Sequence, residues 1–465
     1  MTLAVLLTGA LAYALSQTMI APAIPEIQRD LQTTTTLVTF ALTAFLLTAS
    51  VSTPIVGRLG DMFGKERMLV LTLIVFATGS LVCALSHSIG LLIAGRAIQG
   101  VGGAIFPLSF GIIRDEFPRE KVATGIGLIS ATFGIGGGAG LVISGLIVDN
   151  VAYEWIFWLG LIVAIAAVIA THLFVPESPV KSPARIDWLG AGLLSVSLAS
   201  LLVAVSEGHS WGWTSASFLG LVATAVVFGV AWVWFEFRHP EPLVDMRMMR
   251  DRPVFTTNLT ALLVGFGMFG SYILIPQFVE VPISSGFGFG ASVTEAGLFM
   301  LPSALVMLVA GPISGVMGSR YGSKLPLLIG TVLAFASFTS LALWHDSHLS
   351  IYVGTALMGL GIGFAFAAMA NLIVDAVDQS QTGVATGMNT IMRSIGGAIG
   401  GQVSASILAG HMTSSGFPTE TGYSVAFGVS AIGLLFAVGA AIAIPGGLRR
   451  RMSVPPRPGE PALDI

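Results

Sequence analysis

The chain has 465 residues, of which 54% are hydrophobic and 10% charged, and its formal net charge is −3. Soluble domains carry about 25% charged residues, so these few cannot cover a water-facing surface, whereas lipid can solvate an apolar one. The sequence has no basic or acidic block suited to nucleic acid and no Cys/His cluster suited to a metal. Its one cysteine, Cys83, sits in an apolar run as a small hydrophobe. No cofactor is expected.

Met1 leads directly into an apolar stretch reaching Ala23, without the basic segment of a cleavable leader, and this is read as the first transmembrane helix. Polar or Gly/Pro-rich breaks divide the chain into fourteen runs, each near the roughly 20 residues that cross a bilayer. They are 3–24, 37–57, 68–86, 90–112, 123–148, 155–175, 187–206, 216–236, 254–278, 296–318, 325–344, 350–374, 383–410 and 422–446. With the N-terminus inside, the inner loops and tail hold Arg58, Lys65, Arg67, Arg114, Arg119, Lys121, Lys181, Arg185, Arg238, Arg247, Arg250, Arg252, Arg320, Lys324, Arg449, Arg450, Arg451 and Arg457. The outer loops hold only Arg29, and Arg96 and Arg393 fall within spans. This positive-inside asymmetry predicts an even count with both termini inside.

The two ends of the chain repeat each other. Pro54-Ile55-Val56-Gly57 aligns with Pro312-Ile313-Ser314-Gly315, Gly100 and Gly102 with Gly359 and Gly361, and Val122-Ala123-Thr124-Gly125 with Val384-Ala385-Thr386-Gly387, all at nearly one offset. The expected fold is an all-α polytopic membrane protein with two pseudo-symmetric six-helix bundles, over 1–180 and 253–448. A linker over 181–252 holds two additional helices, and an inner tail covers 449–465. Parallel repeats of this kind place a transport site between the halves near the midplane.

At these residues the chain resembles the major facilitator superfamily, and within it the fourteen-helix drug:proton antiporter branch. The segment Gly57-Arg58-Leu59-Gly60-Asp61-Met62-Phe63-Gly64-Lys65-Glu66-Arg67 carries the resemblance in the loop after the second span, and Arg185-Ile186-Asp187-Trp188-Leu189-Gly190 marks the additional pair. The resemblance implies that Gly57, Asp61, Gly64, Lys65 and Arg67 form a cytoplasmic latch holding one access state; a loop that only sets topology is the alternative. The second copy has Ser319 in place of Asp61, which predicts a weaker latch there.

In the fourth span the match is Arg96-Ala97-Ile98-Gln99-Gly100. An arginine inside an apolar span faces a cavity or a partner, and the resemblance implies proton coupling through Arg96, Gln99 and Gly100. At about two turns' depth, roughly 10 Å, a snorkelling residue is the alternative. The fifth span holds Gly134, Gly136, Gly137, Gly138, Gly140 and Gly145. Gly136, Gly140 and Gly145 cover the family's antiporter motif, although its Gly-Pro step is Gly140-Leu141 here and one glycine is Ser144. Close helix packing explains these glycines equally well.

Ser16 stands where the family often has an acid in the first span. Glu26 and Glu280 are the candidates for an outer, protonatable carboxylate. The resemblance implies a cavity lined by the superfamily's core helices one, four, seven and ten. Their polar, aromatic and Met residues are Tyr13 and Gln17, Phe106, then Asn258, Phe266, Met268, Tyr272 and Gln277, and finally Phe364, Phe366, Met369 and Asn371. Such adaptable contacts suit amphipathic ligands.

The expected function is proton-driven export of hydrophobic or amphipathic small molecules (drugs or antibiotics) by a monomer in lipid. The setting is a multi-pass protein of a bacterial cell membrane. A proton-independent facilitator, or a lipid or metabolite transporter of the same fold, is the alternative. An enzyme or sensor is disfavoured because no loop is long enough for a catalytic domain and none carries a nucleophile elbow, P-loop or metal motif.

Overall fold

The computed structural model describes residues 1–445 apart from 179, 182–186 and 414–416. Arg185, Ile186 and the tail bases Arg449, Arg450, Arg451 and Arg457 lie outside the described residues. The helices are α1 (Thr2–Thr18), α2 (Ile20–Asp30), α3 (Thr35–Phe63), α4 (Lys65–Ala84), α5 (Ile89–Gly100), α6 (Ile105–Glu116), α7 (Arg119–Asn150), α8 (Glu154–Phe174), α9 (Trp188–Trp211) and α10 (Ala216–Glu236). They continue as α11 (Met246–Arg250), α12 (Arg252–Glu280), α13 (Val293–Tyr321), α14 (Lys324–Leu343), α15 (His348–Ala376), α16 (Thr382–Ala409) and α17 (Glu420–Ala443).

Short polar residues set many of these starts. Ser88, Ser215 and Thr419 each accept an otherwise orphaned N–H of their own helix, and Ser292 forms a reciprocal capping box with Glu295. The helix is interrupted at Met19, between α1 and α2, where Pro22 lacks the N–H that would bond Thr18 O. A short 3-10 turn, Val101–Ala104, separates α5 from α6 within one span, at Gly102-Gly103 and four residues before Pro107.

Among the described residues, thirteen helical spans are long and apolar enough to cross a membrane. The run expected at 383–410 forms α16, which has 28 residues but carries Asn389, Arg393 and many Gly, Ser and Thr residues. It is wedged inside the assembly, where polarity meets protein rather than lipid. The outer surface behaves oppositely. Ile162, Ile165, Ile169 and Leu173 form an exposed apolar stripe at helical spacing on α8, and Val226, Val227, Val230 and Trp234 do the same on α10. Stripes of this kind suit a hydrocarbon surround.

One buried apolar core joins residues of α1, α3, α4 and α6–α8 with Ala370 and Val374 of α15, and another joins residues of α12–α17. A third links α9 and α10 to α12, α15 and α16. The two halves meet along α7 with α13 and along α3 with α16.

One sequence expectation changes here. The segment Gly57–Phe63 is not a loop but the last turns of α3, since Arg58 and Asp61 extend the helix beyond its apolar part. Gly64, at φ +117°, ends it in a conformation that favours glycine, and α4 begins at Lys65.

Candidate functional site

The halves are tied together at one end of the bundle by Asp61. Its side chain is fully buried, and its two carboxylate oxygens accept the N–H groups of Gly383 (3.2 Å) and Val384 (3.1 Å). These are first-turn donors of α16, whose dipole favours a negative charge there. Lys65 Nζ lies 3.5 Å from Asp61 and 2.7 Å from Asp115, with all three side chains buried. Gly57 makes the approach possible, because a Cβ there would lie 2.6 Å from the Gly383 carbonyl oxygen. Arg67 is largely exposed and pairs with Glu177 at 3.3 Å.

A second tie comes from Arg114, which the sequence suggested only as a loop base. Its guanidinium donates to the carbonyls of Val377 (2.7 Å) and Asp378 (3.1 Å) and to Thr382 Oγ1, clasping the junction of α15 and α16. In the second repeat Ser319 donates to Val316 O within its own helix.

Deeper in the first half, Arg96 is fully buried. It donates to Ser16 O (3.1 Å) and to Gln99 Oε1 (2.7 Å), and its guanidinium lies 4.0 Å from the Phe45 ring centroid. Gln99 in turn donates to Ser80 Oγ at 2.7 Å. Nε and Nη2 of Arg96 are buried without a hydrogen-bond partner. Arg96 thus engages the main chain of Ser16 in α1. Gly100 serves close approach, since a Cβ there would lie 2.5 Å from Phe45 O.

Six glycines of α7 pack against two neighbours. Gly136 and Gly140 face α1, and Thr18 Oγ1 donates to Gly136 O at 2.5 Å. Gly127, Gly134, Gly138 and Gly145 face α13, with Gly127 against Gly311 backbone to backbone. The geometry accounts for each of them by packing.

Between the halves lies a cavity of about 260 Å³. It begins where Thr53 of α3 and Thr390 of α16 converge, and it reaches Ala21, Leu42 and Leu141, away from Asp61. Its wall is largely apolar and holds four aromatic rings. Tyr13 packs edge-on to Phe106 at 6.1 Å, Phe106 stacks on Phe133 at 3.9 Å, and Phe133 meets Phe366 edge-on at 5.6 Å. The Arg393 guanidinium from α16 sits between the last two rings, 4.6 Å and 4.2 Å from their centroids.

This arrangement, two helical halves closed at one end around a central cavity, agrees with the match of residues 6–401 to the Major Facilitator Superfamily. The chain belongs to that superfamily. It is 30% identical over 388 residues to the tetracenomycin C resistance and export protein of Streptomyces glaucescens, covering 83% of this chain and 71% of that protein. It is also 30% identical over 378 residues to the multidrug transporter protein MdtP of Bacillus subtilis, covering 80% and 68%. Among solved structures, the human organic anion transporter MFSD10 (TETRAN) superposes with a TM-score of 0.67 over 95% of this chain and 98% of that one. At 16% identity the likeness speaks for the superfamily fold alone.

Of the cavity residues expected from the sequence, Tyr13, Gln17, Phe106, Met268 and Phe366 line it. Others sit elsewhere. Asn258 accepts from Asn389 Nδ2 at 2.9 Å, Phe266 packs against Gly400 and Gly433, and Phe364 and Met369 are buried in helix packing. Asn371 donates to Ala123 O at 3.3 Å, another bond between the halves. Gln277 and Glu280 are exposed, and Glu26 pairs with Arg29 at 2.5 Å. The side chain of Tyr272 lies outside the described residues. Sequence reasoning missed Phe133, Met307 and Arg393, because it assigned the wall to four helices, whereas α3, α7, α13 and α16 also contribute. The signal for Arg393 was available: a charge inside a span marks a functional site.

Proposed function

We propose that this superfamily member is a multi-pass exporter of amphipathic small molecules that works by alternating access around the central cavity. The cavity itself carries the reading, since it lies between the halves and is bounded by a buried, breakable tie at one end. The names of the two bacterial relatives support export of drugs or antibiotics. The proposed topology has fourteen spans, with α16 as the thirteenth. Both termini face the cytoplasm, which puts Asp61, Lys65 and Arg114 at the cytoplasmic end and makes the described state outward-facing. Residues 1–180 and 253–448 then form the two rocking bundles, with α9 and α10 added between them, in a bacterial cell membrane.

Proton antiport is the leading drive, inherited from the fourteen-helix branch, with Arg96 and Gln99 in its path. A proton-independent carrier is the second reading. It is favoured by the described cavity wall, which includes no Asp or Glu.

Expressed in a bacterial host stripped of its main pumps, the protein should lower accumulation of some members of a dye and antibiotic panel by about threefold or more, near 0.7 kcal/mol of gradient. Repeating the assay at two pH gradients separates the drives. Unchanged accumulation of every compound, with the protein present in the membrane, would remove the export reading. Arg96→Ala removes the charged donor from Gln99 Oε1 and Ser16 O. It should cut efflux by about tenfold at undiminished expression, the loss of a hydrogen bond to a charged group. Efflux at the wild-type rate would take Arg96 out of the transport path.

A further inference from the structure

We propose that His345, Asp346 and Glu420 form a site for one divalent transition-metal cation, with zinc as the best fit, and that the ion staples the start of α15 to the start of α17. The proposal goes beyond the export reading and does not rest on it.

The cluster lies at the far end of the bundle from the Asp61 tie. α15 begins at His348, and its 29 residues run back to the Arg114 clasp, a distance of about 44 Å. His345 and Asp346 belong to the connection before α15, and Glu420 is the first residue of α17. Each offers one ligand atom, and the three atoms lie within 4.8 Å of one another. His345 is buried, whereas both carboxylates are exposed. An ion arriving from solvent therefore meets two acids first and a fixed imidazole behind them.

The imidazole is held in one tautomer. Nδ1 lies 2.8 Å from Leu341 O, a carbonyl that can only accept, so Nδ1 carries the proton. Leu341 is in the last turn of α14, where carbonyls lack partners inside the helix. The Phe278 ring meets the imidazole edge-on, with 5.2 Å between centroids, and limits its rotation. The lone pair of Nε2 then faces Glu420 Oε1 at 3.3 Å, acceptor against acceptor. That contact becomes attractive when a proton or a metal ion joins the two atoms. Asp346 tells these cases apart. A protonated His345 paired with Glu420 has no use for it, and Asp346 makes no hydrogen bond or ion pair among the described residues. Its carboxylate nevertheless converges on the same point.

The donor set fits zinc. Zinc ligands sit about 2 Å from the ion, so tetrahedral neighbours lie about 3.3 Å apart. Nε2 and Oε1 already have that spacing. The Asp346 side chain is at the surface, and a rotation closes its part of the shell, with water completing it. A ligating imidazole whose other N–H is bonded to a carbonyl is the common support for such a site. The ring nitrogen also separates zinc from magnesium and calcium, which prefer oxygen throughout. Once bound, the ion ties the connection between α14 and α15 to α17, within the second half. It thereby steadies α15, which brings Phe366 to the cavity.

The test titrates zinc into the full-length protein, freed of metal with a chelator, against a chromophoric zinc indicator, and follows melting in parallel. Wild type should bind one equivalent with micromolar affinity, undisturbed by about a hundredfold excess of magnesium, and zinc should raise its melting temperature by a few degrees. Asp346→Asn and Glu420→Gln should each weaken binding about tenfold or more and lose most of that rise, and His345→Gln should lose both. Asp346→Asn decides the matter. Without metal it should melt like wild type, because the side chain is exposed, and a His345 that is merely ion-paired would not register its loss. No zinc binding, or binding of equal strength in wild type and Asp346→Asn, overturns the site. Binding of one equivalent without a rise in melting overturns the staple.

Discussion

Asp61→Asn is expected to slow efflux about tenfold and to leave the protein folded, because it loosens one conformation and not the core of either bundle. The buried carboxylate holds two N–H donors of α16 across the interface between halves and faces Lys65 at 3.5 Å. Asparagine keeps the shape but brings one acceptor and no charge. Each charge-assisted bond is worth about 1.5–3 kcal/mol, so the closed state should lose on the order of 2–4 kcal/mol. Two access states lie within a few kcal/mol of each other, so a loss of this size shifts their ratio by about 30-fold or more. Transport of a dye substrate should fall about tenfold, while a cysteine placed at Val374, which is buried against the first half at that end, should become more reactive to a membrane-impermeant maleimide applied at that face. Wild-type efflux with unchanged labelling would show that Asp61 latches nothing.

Gly127→Leu is expected to have the larger effect on stability. A Cβ at Gly127 meets Gly311 O and lies 3.4 Å from Pro312 Cα, so α7 and α13 touch through their backbones there. A side chain at that point must push the two halves apart along their longest seam. Overpacking costs about 1–3 kcal/mol where neighbours can yield, and a facing backbone yields little. The variant should melt several degrees lower and lose nearly all transport, with Gly127→Ala intermediate. Gly428→Leu is the control, because no atom lies within 4 Å of a Cβ there. Normal melting and transport in Gly127→Leu would mean that the seam between α7 and α13 is looser than described.

Much of the molecule was legible in its residues. Apolar runs separated by charged or Gly/Pro-rich breaks gave the spans, because lipid forces the backbone to satisfy itself helix by helix. The Gly57–Arg67 segment pointed to the tie between halves through glycine spacing and a carboxylate. Its helical state was not legible, since Arg58 and Asp61 look like loop residues until their position at the end of α3 is known. Arg114 was hidden for another reason. Its partners include the main-chain carbonyls of Val377 and Asp378, and no side-chain pattern reveals a carbonyl so distant in sequence. The cavity was half legible. Tyr13, Gln17 and Phe106 stood out as polar or aromatic residues in core helices, while Phe133 was masked by the glycines around it. Those glycines announced close packing and said nothing of which of two helices each would meet.

The central claim is that the halves rock about the cavity, opening one end as the other closes. Spin labels report this most directly, in a chain whose Cys83 is replaced by Ser. One pair, at Phe63 and Gln379, reads the Asp61 end, and another, at Leu37 and Met412, reads the opposite end. All four positions are exposed. Electron–electron distance measurements in lipid should give two populations for each pair, and a transported compound should lengthen one pair as it shortens the other. A single fixed distance for both pairs, or both lengthening together, would contradict alternating access in this protein.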